Sequence, residues 1–142
     1  MKIEIVNYSQ GPVSINKELW NSRQLEGSGV SMRPQLRCVK GSDSVGFQID
    51  LAASVDDKEA LSLGFLFGMR VEGWGKVTES HPDPDSLRPY INDICYYFWA
   101  TATGAIAAIT SRDNGRPLIL PPIDPDKFIP LVIITISSES QA

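Results

Sequence analysis

Residues 94 to 109, ICYYFWATATGAIAAI, decide the fold. The stretch has sixteen residues and no charge. An amphipathic surface helix keeps one polar face. This one is apolar or small nearly all round, so it is expected to be covered on more than one side. It is too short for a bilayer, which takes about 20 apolar residues. The expectation is a helix that packs on its own domain with one face and on another subunit with the other. Such a helix points to assembly and binding rather than catalysis.

Around it, the periodicity predicts one long helix over residues 86–112. Ser86 is the candidate N-cap, with Asp83 or Asp85 as alternatives. Leu87, Ile91, Ile94, Phe98, Ala102, Ala105 and Ile109 recur at steps of three and four and define one face. A second stripe holds Tyr90, Tyr97, Thr101, Gly104 and Ala108. Its far half is small enough for another backbone to approach, so Thr101, Gly104, Ala105 and Ala108 are the candidate oligomer interface. Asn114-Gly115 ends the helix. A proline-rich connector spans 113–128. The terminal element, 129–137, is rich in β-branched residues and reads as either a short strand or a packed helix. SSESQA at the end reads as a frayed tail.

Residues 1–77 read as a four-stranded antiparallel sheet. Lys2-Ile3-Glu4-Ile5 alternates, Asn7 to Pro12 interrupts, and Val13-Ser14-Ile15 resumes, which fits one long strand bent or bulged at Gly11. Asn16 to Gly29 is a loop whose large apolar residues are Trp20 and Leu25. Three strands follow: Val30–Val39, Val45–Val55, and Ala60 to about Val77. Pro34 favours an edge or a bulge in the first of these. Gly64, Gly68, Gly73 and Gly75 sit within the last, where bulges or curvature explain them better than a phosphate loop does. The chain is thus read as a single α+β domain of 142 residues: a four-stranded antiparallel sheet, one long helix and a short C-terminal element.

Composition narrows the function. Net charge is −4, so nucleic acid is not an expected partner. Cys38 and Cys95 suggest no disulfide framework. MKIEIVNYS has no apolar signal region, and a cytoplasmic protein without membrane insertion is expected. His81 lies beside Asp83 and Asp85, but a metal site would want a second histidine or a cysteine nearby, so no metal is expected. Asp124 and Asp126 could join them as paired carboxylates; exposed turn residues are the commoner reading. A serine triad would have only His81 and lacks a nucleophile elbow. No cofactor and no catalytic residue is expected.

The order of elements resembles the SecB family of export chaperones. Leu87-Arg88-Pro89-Tyr90-Ile91 is similar to that family's helix entry, and Leu118 through Phe128, LILPPIDPDKF, to its post-helix connector. Trp20 falls where the family carries a tryptophan before its second strand. The resemblance implies a homotetramer, a dimer of dimers joined by edge strands and by the long helices between two sheets. It implies an ATP-independent holdase that binds unfolded polypeptide without chemistry, in grooves beside the helix and the 16–29 loop. It makes Trp20 and Leu25 of that loop candidate client contacts, and Tyr97 and Trp99 on the long helix are candidates beside them. Export-pathway members carry a zinc-binding tail of cysteine and histidine that engages the SecA motor; Ser137 to Ala142 has neither residue. Relatives linked to toxin–antitoxin systems also exist. The alternative is a non-catalytic interaction protein of the same fold with one dedicated partner. An enzyme acting through Asp83, Asp85 or Asp124 is the third reading.

Overall fold

The computed structural model describes residues 2–16, 18, 28–55, 57–112 and 123–138. The strands are β1 (Ile3–Gln10), β2 (Ser14–Ile15), β3 (Ser28–Val39), β4 (Ser44–Val55), β5 (Lys58–Val71) and β6 (Ile133–Ser137). Alternation builds the sheet. Every second side chain of β4 from Val45 to Val55 is buried, as are Leu61, Leu63, Phe65, Phe67, Met69 and Val71 of β5. Apolar residues on one pleated face with small or polar ones on the other make a sheet that packs on one side.

The order is β1-β5-β4-β3-β6, and β2 also pairs with β5. β1 and β2 are two halves of one interrupted strand, both antiparallel to β5. Between them the Gly11 N–H donates to the Gly64 carbonyl at 2.9 Å. The expected break at Gly11 is therefore present, and a separate bulge lies at Val6, between the Ile5 and Asn7 pairings. Pro34 sits where β3 changes character. Gln35 to Val39 pair with β6, whereas Ser28 to Pro34 pair with β4 alone, so the missing N–H falls on an edge segment.

Three expectations are corrected. The last strand of the 1–77 sheet ends at Val71, and a short helix, α1 (Trp74–Ser80), replaces its predicted end. Gly73 enters it with φ of 84°, a left-handed conformation that glycine adopts freely. The sheet has six strands instead of four, because β2 separates from β1 and the terminal element adds β6 parallel to β3. The β-branched run 133–137 explains why that element is a strand. Finally, the 86–112 helix is split. Pro84–Tyr90 is a 3-10 turn, and the α-helix proper is α2 (Asn92–Arg112). Pro89 has no N–H to give an α-helical ladder, so the periodic pattern runs on while the helix does not. Ser86 lies inside the turn and its hydroxyl donates to the Asp83 carbonyl, so Asp83 holds the cap position.

Connector residues 113–122 lie outside the described residues. Its end forms a single helical turn, α3 (Pro125–Phe128), capped by Asp124, whose carboxylate accepts from the Asp126 N–H at 3.2 Å. Residues Ile129–Leu131 make a 3-10 turn into β6.

One core joins α2 to the sheet. Ile91, Ile94, Cys95, Phe98, Trp99, Ala102, Ile106 and Ile109 are buried against Phe47, Phe65 and Phe67 and their neighbours. The buried face follows the predicted stripe to Ala102 and then turns onto Ile106, leaving Ala105 half-buried.

Candidate functional site

α2 supplies the surface of interest because its core face uses only part of its circumference. Tyr96 is 44% exposed and Tyr97 39%. One, two and three turns further along, Thr101 is half-buried, and Gly104 and Ala108 are exposed. A Cβ on Gly104 would meet nothing within 4 Å. Tyr97, Thr101, Gly104 and Ala108 thus share an outward stripe at helical spacing. Of its two hydroxyls, that of Thr101 donates to the Tyr97 carbonyl at 3.1 Å, and that of Tyr97 belongs to an exposed ring. Apart from that phenol, the stripe presents a small, largely apolar surface.

The other expected residues fall elsewhere. Ala105 is half-buried and packs on the core. Trp99 is 8% exposed and meets the ring of Phe128 edge-on, centroids 5.2 Å apart. It lies beneath the α3 segment, away from the outward stripe. Trp20 and Leu25 lie outside the described residues.

Arg88 is a residue whose role the sequence did not disclose. One of its guanidinium nitrogens donates to the Ile129 and Val132 carbonyls, at 2.9 and 2.8 Å, while Nε pairs with Asp85 at 3.2 Å. The helix entry thereby holds the chain that leads into β6. An arginine set between Leu87 and Pro89 in an apolar helix entry was the available signal.

Further apolar groups reach solvent at the sheet's edges. Val6 stands out at the β1 bulge, and Leu131 and Ile133 stand out at β6. Tyr8 lies half-exposed over Phe67 and Phe65, centroids 5.0 and 5.8 Å away, and burial pushes its hydroxyl pKa up. The cysteines are inert by environment: burial pushes the Cys95 thiol up to about 12. Burial also raises Cys38, opposed in part by the Trp74 indole N–H, which is otherwise buried without a partner.

The acidic loops do not converge. His81 meets the Tyr90 ring at a tilt, centroids 4.8 Å apart, Asp85 pairs with Arg88, and Asp124 caps α3. Among the described residues no three His, Cys, Asp or Glu side chains gather where they could hold a metal ion. No described helix is long and apolar enough to cross a membrane.

No family model and no curated protein matches the chain. A solved structure does: the Mycobacterium tuberculosis Rv1957 SecB-like chaperone in complex with a ChAD peptide from the Rv1956 HigA1 antitoxin. The TM-score is 0.56 at 11% identity, over 85% of this chain and 90% of that one. At that identity the likeness shows the fold alone, and the fold is SecB-like.

Proposed function

We propose that this protein is an ATP-independent holdase that binds non-native polypeptide and does no chemistry. The observation that carries the reading is the outward face of α2, where Tyr97, Gly104 and Ala108 are exposed on a helix without charge from Ile94 to Ile109. Burying that face is worth roughly 25 cal/mol per Å² of apolar area, so it favours association with any chain that offers apolar surface. Client contact falls to Tyr97 at the wider end, joined by Trp20 and Leu25 as the family resemblance implies; Trp99 acts from beneath by positioning α2 on Phe128. The small end of the outward stripe, Thr101, Gly104 and Ala108, packs on a second subunit, giving a dimer of dimers in the cytoplasm, while Ala105 stays on its own core. The net charge of −4 favours neutral or basic clients.

A second reading is one dedicated partner, favoured by the solved likeness, a chaperone bound to an antitoxin peptide. The test is suppression of aggregation of several unrelated unfolded proteins, with light scattering giving the stoichiometry of the complexes. Broad suppression, weakened by Tyr97→Ser at unchanged Tm, is expected. Absence of suppression by the folded protein would overturn the holdase and leave the single-partner reading.

A further inference from the structure

β1 and β2 border the sheet on one side, β6 and the first half of β3 on the other, and the two outermost strands, β1 and β6, are built differently. β1 carries Glu4, paired with Lys2 at 3.2 Å, a bulge at Val6, and Pro12 just beyond its end. Charge, bulges and proline are the devices by which sheets refuse edge pairing. β6, with the sequence IITIS, carries no charge, bulge or proline within it, Pro130 lying in the turn before it, and its register against Gln35 to Val39 is unbroken. Leu131 and Ile133 are each 59% exposed beside it.

Its backbone is oriented for pairing. The Lys40 N–H donates to the Ser137 carbonyl at 2.8 Å, so Ser137 turns its main-chain groups toward β3. Alternation gives Thr135 and Ile133 the same direction. Ile134 and Ile136 then turn their N–H and C=O groups outward. One position earlier, Arg88 occupies the Val132 carbonyl and closes that end. Among the described residues no strand pairs with β6 on its outer side.

We propose that the outer edge of β6 takes an extended apolar segment of a client polypeptide as an added strand. The inference rests on the client-binding reading above and names a second mode of contact within it. Size selects the occupant. A five-residue strand falls far short of the roughly 20–30 residues a side of a stable protein–protein interface, so this edge alone does not hold a second copy. A peptide needs less: main-chain hydrogen bonds supply affinity, and alternate side chains meet Leu131 and Ile133. Recognition through the backbone tolerates varied sequences, as a holdase requires.

The probe is a fluorescein-labelled octapeptide of alternating valine and threonine with a terminal lysine pair, followed by anisotropy. Ile136→Pro removes an outward N–H and leaves the bonds of Ile133, Thr135 and Ser137 to β3 intact. Ile133→Lys places a charge beside the edge without touching the backbone. Both are expected to weaken the peptide by about tenfold or more at unchanged oligomer mass, while Tyr97→Ser leaves it bound. Unchanged affinity in the folded variants would overturn the site, and so would a fall in oligomer mass, which would make the edge a subunit contact. Failure of the wild-type protein to suppress aggregation overturns the holdase itself; suppression with a peptide indifferent to both variants overturns the β6 site alone.

Discussion

The rings of Phe47 and Phe98 lie 4.2 Å apart and 26° from parallel, and this stack fastens α2 to the middle of the sheet. Phe67 meets Phe98 edge-on at 5.2 Å from the next strand. Offset stacking and edge contact both suit the charge distribution of aromatic rings. All three rings are at most 2% exposed, so removing one leaves a cavity. Phe98→Ala is expected to cost about 3–5 kcal/mol in urea unfolding. Phe98→Leu, which keeps most of the volume, is expected to cost about half of that or less. Equal, small losses for both would mean that the helix is not anchored there.

Arg88 anchors the chain that leads into β6. It spans two carbonyls of the chain entering that strand, beyond the end of the ladder to β3. Hydrogen bonds from a charged donor are worth about 1.5–3 kcal/mol each. Arg88→Ala is expected to lower stability by about 2–3 kcal/mol and to speed amide exchange across 132–137 before the rest of the sheet opens. Arg88→Lys is expected to recover only part of this, because an ammonium lacks the guanidinium's fixed fork. Exchange in β6 that matches wild type would show the strand to be held by β3 alone.

The elements legible in the sequence were those long enough to show a period. Six alternate buried positions from Val45 to Val55 announce β4 without ambiguity, and seven apolar positions from Leu87 to Ile109 announce a helix. The errors lie where the period misleads or is too short. Leu87 and Ile91 keep helical spacing across Pro89, yet the chain there is a 3-10 turn. Trp74 and Val77 make under two turns of α1, and two flanking glycines disguise it as a curved strand. Parallel pairing of β6 with β3 joins residues about 100 apart, and no local pattern encodes that. The candidate site was legible in part. The outward stripe of Tyr97, Gly104 and Ala108 follows from spacing, but the inward turn of Trp99 follows from Phe128, which the connector brings from a distance.

Two glycines that look alike in the sequence are expected to behave oppositely. A Cβ on Gly75 would lie 2.5 Å from the Gly41 carbonyl oxygen, a backbone atom that cannot rotate away. Gly75 is also held by the Asp43 carboxylate, which accepts its N–H at 2.8 Å, and by Thr78, whose hydroxyl donates to its carbonyl and accepts from the Gly41 N–H. Gly75→Ala is therefore expected to cost about 2 kcal/mol or more. Gly104→Ala meets nothing in its own chain and replaces a poor helix former, so it is expected to gain about 0.5–1 kcal/mol in a dissociated subunit. Gly104→Leu tests the proposed interface: a lower mass in light scattering at unchanged subunit stability is expected, and an unchanged mass would remove Gly104 from any subunit contact.

Cys95 links the core to pH. Its thiol is fully buried in α2 and its pKa is pushed up to about 12 from an ordinary value of 9. The native state thus keeps its proton where the unfolded chain has lost it. Between pH 9 and 12 the unfolded state binds fewer protons, so stability falls as pH rises through that window; below pH 9 the contribution is complete. Urea unfolding at pH 7.5 and at pH 10 is expected to show a smaller difference for Cys95→Ala than for the wild type, since the two chains differ only at residue 95. The same burial shields the thiolate chemistry. Iodoacetamide at pH 8 is expected to label Cys95 only at the rate of unfolding, and rapid stoichiometric labelling of the native protein would show that α2 lifts off the sheet far more often than its aromatic stack allows.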